Sequence, residues 1–161
     1  MAGKRLESWR ALEALHAEKR ARAIGVSNFL VRHIEELVAH AKRAPDANQI
    51  ELSPFLQRRD TVALCKQLGI VVEAYSPLTR GERLGHPVIG AIATELDRTP
   101  AQVLLRWGLQ HGFVILPKSV REERIAKNGD LFAFELTAHQ VARLDALEEN
   151  LATGWDPADQ D

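Results

Sequence analysis

The chain has 161 residues, 45% hydrophobic and 27% charged, an ordinary globular composition that excludes disorder, collagen and coiled coil. Its 21 Lys plus Arg against 22 Asp plus Glu leave a formal net charge of -1, so there is no electrostatic footprint for nucleic acid. Cys65 is the single cysteine, which rules out an internal disulfide and fits a reducing compartment.

Leu6 to Lys19 reads as a helix, with Trp9, Leu12 and Leu15 at helical spacing among charges. Ala23-Ile24-Gly25-Val26 is a short apolar run closed by Ser27-Asn28, a buried strand followed by a loop. Leu30, Ile34, Leu37, Val38 and Ala41 mark a second amphipathic helix, broken at Pro45-Asp46. Gln49 to Leu52 is a strand stopped by Ser53-Pro54. Asp60 is placed to cap a helix running to Leu68, with Gly69 as its stop. Ile70 to Tyr75 is the third strand, stopped by Ser76-Pro77, and a polar loop from Thr79 to His86 follows. Pro87 opens a helix carrying Val88, Ile89, Ile92 and Leu96. Thr99-Pro100-Ala101-Gln102 combines an N-cap Thr, a Pro at the first helical position and a capping-box Gln. Phe113 to Leu116 is the fourth strand, stopped at Pro117. A helix from about Arg121 to Asn128 comes next. Thr137 with Gln140 opens a last helix, and the tail from Ala152 is polar.

Continuous apolar strands alternating with amphipathic helices predict an α/β fold, a parallel sheet covered by helices. No linker divides the chain, so residues 1–161 are expected to form a single partial domain. The length is short for a complete (β/α)8 barrel, which takes roughly 200 residues or more. No G-x-G-x-x-G follows any strand, so a Rossmann phosphate loop is not expected. No long apolar run follows Met1. Neither a signal peptide nor a membrane span is expected, and the protein reads as cytoplasmic.

Chemistry concentrates after the strands. Leu116-Pro117-Lys118-Ser119-Val120-Arg121-Glu122-Glu123-Arg124 places Lys, Ser and two Arg where a helix begins. Helix N–H groups and their partial positive charge favour an anion there. The alternative is that Lys118, Arg121 and Arg124 are solvated charges, with Glu122 and Glu123 complementing the helix dipole. Ser27 and Asn28 either orient a carboxamide or carbonyl, or cap the next helix. Tyr75 is either a platform for a flat ring or a core aromatic. Gln49 and Glu51 share one strand face, as ligand contacts or polar plugs. The six His include no H-x-x-x-H pair or Cys/His cluster. His33 and His40 read as a solvated helix face, and Cys65 reads as a packing residue.

Several of these motifs, in order, resemble one family. Ala23-Ile24-Gly25-Val26-Ser27-Asn28-Phe29, Asn48-Gln49-Ile50-Glu51-Leu52-Ser53-Pro54, Glu73-Ala74-Tyr75-Ser76-Pro77-Leu78, Thr99 to Trp107, Ile115-Leu116-Pro117-Lys118-Ser119, Arg124-Ile125-Ala126 and Asn128 are similar to the aldo-keto reductases, nearest to bacterial diketogluconate-reductase-like members. The resemblance covers nearly the whole chain. It implies strands 5–8 with their helices, the C-terminal half of a (β/α)8 TIM barrel, and NADPH as cofactor for reducing small aldehydes or ketones. By resemblance Ser27, Asn28 and Gln49 hold the nicotinamide carboxamide and Tyr75 stacks on its ring. Ser76 and Leu78 line the pyrophosphate path. Lys118, Ser119 and Arg124 hold the adenosine 2′-phosphate, and Asn128 reaches the adenine. Lys127 departs from the acidic residue that many members carry, and Arg121 stands where many have a small hydroxyl residue. The family's Asp, Tyr, Lys and His tetrad lies on strands expected before Met1. The expectation is a truncated oxidoreductase, inactive alone, taking a carbonyl substrate only when completed by an N-terminal half. The alternative is a non-catalytic NADP(H)-binding or self-associating half-barrel. Its open sheet edges invite self-association; no nucleic acid or membrane partner is expected.

Overall fold

The computed structural model describes residues 2–156. Four parallel strands follow one another in the sheet in chain order, with helices between them. The elements are α1 (Ala2–Ala17), β1 (Gly25–Ser27), α2 (Val31–His40), β2 (Ala47–Glu51), α3 (Arg59–Gln67), β3 (Val71–Tyr75), α4 (Pro87–Leu96), α5 (Pro100–Gln110), β4 (Val114–Leu116), α6 (Glu122–Gly129) and α7 (Ala138–Asp145). A 3-10 turn at Thr79–Gly81 interrupts the polar loop. The chain forms two compact units, one from Met1–Ile50 and Arg59–Val72, the other from Glu51–Arg58 and Glu73–Gly154.

In the first unit β1 pairs with β2 in the register Gly25–Ala47, Val26–Asn48, Ser27–Gln49. Asp46 ties the start of this pairing. Its carboxylate accepts from the Ile24 N–H at 2.7 Å, its own N–H donates to the Ile24 carbonyl at 2.8 Å, and its carbonyl accepts from the Val71 N–H at 3.0 Å. Trp9, Ile24 and Leu37 form the core, with Leu6, Leu12, Val26 and Phe29 packed against it. Each such side chain, fully buried, contributes about 1.5–3 kcal/mol. Glu13 on α1 accepts from the Trp9 indole at 3.2 Å and from the Lys42 and Arg43 N–H groups at 2.7 and 3.1 Å, which fixes the turn after α2. Two local expectations are corrected here. Helix α3 begins at Arg59, so Asp60 lies in its first turn rather than capping it. His33 is buried, not solvated: its ring meets Phe29 edge-on and its Nδ1 accepts from the Leu30 N–H at 3.1 Å.

In the second unit β3 pairs with β4, Glu73–Val114 through Tyr75–Leu116. Helices α5 and α7 both pack on α4, burying Ile89, Ile92, Val103, Leu104 and Leu144. Both expected capping boxes form: the Thr99 hydroxyl accepts from the Gln102 N–H at 3.2 Å, and Thr137 does the same with Gln140. Two helices therefore separate β3 from β4, where one would suffice for a crossover. The segment after α7 runs back as a strap. Glu149 and Leu151 donate their N–H groups to the Phe55 carbonyl at 3.1 and 3.0 Å. The Glu148 carboxylate accepts from the Gln57 N–H at 2.6 Å, and Arg83 pairs with Glu149 at 3.0 Å. The Thr153 N–H and hydroxyl both donate to one oxygen of the buried Glu51. Among the described residues no helix is long and apolar enough to cross a membrane.

Candidate functional site

In the first unit Ser27 and Asn28 leave the end of β1 in a turn set by their neighbours. Asn28 has φ 59°, a left-handed conformation that Asn tolerates better than most residues. Its N–H donates to the Gln49 carbonyl at 2.9 Å, and the exposed Ser27 hydroxyl donates to the same oxygen at 3.0 Å. The N-cap of α2 is Leu30, so neither Ser27 nor Asn28 caps that helix. Ser27, Asn28 and Gln49 are thereby brought together at the C-terminal ends of adjacent parallel strands, where barrel enzymes place ligands.

Asn48 lies beneath this turn and is fully buried. Its amide donates to the Phe29 carbonyl at 2.8 Å and approaches the Cys65 sulfur at 3.7 Å. The sequence alone assigns Asn48 no role. Its place in β2 beside the Gln49 motif was the available signal, because a polar residue on the buried face of a strand needs a hydrogen-bond partner. Cys65 is buried, as its reading as a packing residue requires. Burial pushes its thiol above the ordinary value, outweighing the contact with Asn48.

In the second unit Tyr75 is half-buried at the end of β3. The backbone then turns sharply: Ser76, Thr79 and Arg80 have φ of 49°, 49° and 53°. A β-branched Thr at positive φ is costly. It is held because Thr79 is fully buried, its hydroxyl donating to the Leu78 carbonyl at 2.7 Å and accepting from the Arg83 N–H at 3.3 Å. Ser76 and Leu78 thus sit on a loop whose conformation is imposed by its surroundings.

Lys118 and Ser119 follow β4, and Arg124 lies in the first turn of α6. Ser119 accepts from the Arg121 N–H at 3.3 Å. Arg121 is the N-cap and its side chain makes no capping bond, so the first N–H groups of α6 have no side-chain cap. Lys118, Arg121 and Arg124 are exposed and have no acidic partner among the described residues. Asn128 is half-buried in the last turn of α6. This donor set, a flexible ammonium, a hydroxyl, two guanidinium forks and open helix N–H groups, fits a phosphate group. Among the described residues no group of three or more His, Cys, Asp or Glu could hold a metal ion.

Residues 3–149 match the model of the Aldo/keto reductase family. YtbE, an uncharacterised oxidoreductase of Bacillus subtilis, is 48% identical over 155 residues, which is 96% of this chain and 55% of that protein. The glyoxal reductase of Bacillus subtilis is 45% identical, covering 94% of this chain and 55% of its own length. The chain therefore spans about half the length of these curated relatives. Among solved structures, an aldo-keto reductase from a Medee basin deep-sea metagenome library superposes with a TM-score of 0.95 at 32% identity, over 100% of this chain and 61% of that one. The Bombyx mori aldo-keto reductase solved in complex with NADP gives 0.87 at 36% identity, over 95% and 53%. Four parallel strands with their helices make up part of a (β/α)8 barrel, and with the family pattern running through nearly all of its length the chain belongs to the aldo/keto reductase family.

Proposed function

We propose that this chain carries the NADP(H)-binding part of a reductase for small aldehydes and ketones, and that the 161-residue polypeptide does not turn over a carbonyl by itself. The observation that carries the reading is the basic cluster Lys118, Ser119 and Arg124 at the start of α6, without an acidic partner among the described residues. A basic cluster of this kind suits a phosphate, and the cofactor assignment is supported by a relative solved with NADP bound. In this reading Ser27, Asn28 and Gln49 take the carboxamide, Tyr75 offers its ring face, and Ser76 and Leu78 flank the pyrophosphate. Asn128 meets the adenine.

The cofactor, when bound, supplies a hydride to the carbonyl carbon. The alkoxide that develops needs a proton from a placed acid with a tuned pKa. Tyr75 is the only tyrosine and is assigned to stacking. His33 is buried on α2, its Nδ1 accepting from the Leu30 N–H, and Lys118 is assigned to the phosphate. The absence of a general acid alone costs about 10²–10⁴-fold in rate.

The tests are direct. Lys118→Ala should weaken NADPH about tenfold or more, since a hydrogen bond to a charged group contributes roughly 1.5–3 kcal/mol, and should leave NADH almost unchanged. Equal loss of both nucleotides in a fluorescence titration discards the phosphate role. For the second claim, NADPH oxidation with a small aldehyde should be absent in purified chain. Turnover that survives purification and disappears in Tyr75→Phe would make Tyr75 the proton donor.

A further inference from the structure

A helix that buries nothing cannot take its direction from the core. Seven of the eight residues of α6 are exposed and Asn128 is half-buried. Its anchorage comes from the segment that leaves it. Leu131 is buried, and three side chains of α5 hold the backbone on either side of it. Gln102, Arg106 and Gln110 stand at i, i+4 and i+8, so they form one stripe on α5. The Gln102 amide donates to the Asp130 carbonyl at 2.9 Å, and the Arg106 guanidinium donates to the Leu131 carbonyl at 3.1 Å and the Glu135 carboxylate at 2.9 Å. Gln110 donates to the Leu136 carbonyl at 2.9 Å and accepts from the Leu136 N–H at 2.7 Å. The Arg106 Nε donates to Gln110 at 3.1 Å, joining two rungs. Asp130 is itself the C-cap of α6, its N–H donating to the carbonyls of Ala126 and Lys127. Gln102 and Arg106 are only 4% and 9% exposed, and the Arg106–Leu131 bond is buried, shielded from competing water.

Resting on the phosphate reading above, we propose that Gln102 and Arg106 are positioning residues for nucleotide selectivity. They hold the C-terminal end of α6 and thereby keep Arg124 in its first turn, with the Ser119–Arg121 contact at its start, in the direction a 2′-phosphate needs. They touch no ligand themselves.

Gln102→Glu isolates the effect. It keeps the side-chain oxygen that accepts from the Thr99 N–H at 3.0 Å, so the α5 cap survives, and it removes the donor to Asp130. Two readouts are taken on the full chain: amide hydrogen exchange along residues 122–131, and fluorescence titration with NADPH and with NADH. Expected are faster exchange in α6 with α5 unchanged, and a three- to tenfold weaker NADPH affinity, about the worth of one neutral hydrogen bond, with NADH unaffected. Arg106→Lys, which keeps the charge but lacks the guanidinium fork, should act in the same direction and serves if Gln102→Glu folds poorly. Unchanged α6 exchange, or equal loss for both nucleotides, overturns the proposal. Lys118→Ala separates the two failures. If it weakens NADPH while Gln102→Glu and Arg106→Lys do not, only the positioning role falls. If it leaves NADPH affinity intact, the phosphate reading falls and the selectivity role with it.

Discussion

Single atoms decide the fit of the first two strands. A Cβ added at Gly25 would stand 2.8 Å from the Ala47 carbonyl oxygen, its partner in the parallel register. That neighbour is backbone in the sheet and has little room to yield. Gly25→Ala is expected to destabilise the chain by about 1–3 kcal/mol, the usual cost of overpacking, which exceeds the roughly 0.4–1 kcal/mol gained from stiffening the unfolded chain. Urea unfolding measures the difference, and a rise in midpoint would contradict the close approach. Gly25 was readable only as part of an apolar run, since nothing in Ala23-Ile24-Gly25-Val26 tells a tight contact from a tolerated one. The left-handed Asn28 was more legible, because its residue type and place after a strand both point to a turn. Ser76, Thr79 and Arg80 were not: none is a glycine, and Thr79 is held by burial and by hydrogen bonds such as that from the Arg83 N–H.

Between helices, carboxylates supply the ties that apolar packing leaves out. Glu95 on α4 accepts from Gln140 and from Arg143 on α7, both at 2.9 Å. The Gln140 hydrogen bond first, then that of Arg143, with the charges of Arg143 and His139, holds its carboxyl below the ordinary value of 4.5. A lowered folded pKa means that the tie contributes above 4.5 and is lost as pH falls through the folded value. Glu95→Gln should therefore reduce the acid-side slope of stability in thermal melts between neutral pH and about 3, and an unchanged slope would remove Glu95 from the acid response. Both capping boxes of these helices were readable, because Thr and Gln three residues apart form a local signal. The second use of Gln102, reaching Asp130 at a separation of 28 residues, was not, because a propensity window carries no information about which distant backbone group a side chain meets.

On the scale of the whole molecule, the order of strands was legible and the state of assembly is a prediction. β1 and β4 end the strand order. In the second unit Val114 and Leu116 on β4 are 45% and 39% exposed and Ile125 on α6 is 56% exposed. Strand ends of a sheet with apolar exposed side chains pair readily with another chain, and two copies exchanging edges would form a closed symmetric dimer. Light scattering across a dilution series should report a dimer or larger species. A stable, well-folded monomer at low concentration would refute it. The continuous apolar strands made the parallel sheet readable. The strap was not, since Glu51 and Thr153 are 102 residues apart and each looks like an ordinary polar residue in its own surroundings.

That strap also sets a timetable for synthesis. The loop around Phe55 and Gln57 emerges from the ribosome early, yet its partners, the Glu148 carboxylate and the Glu149 and Leu151 N–H groups, come about ninety residues later. Closing so long a loop is entropically slow compared with forming the local helices. Glu51, Phe55 and Gln57 must therefore wait, partly unsatisfied, while β3, α4, α5 and β4 are made. During that interval the nascent chain presents the apolar Phe55 and Leu56, which are fully covered in the finished fold, and holdase chaperones bind such exposed segments. Ribosome-stalled chains ending shortly before residue 148 should be captured by such chaperones, and chains with the strap fully emerged should escape them.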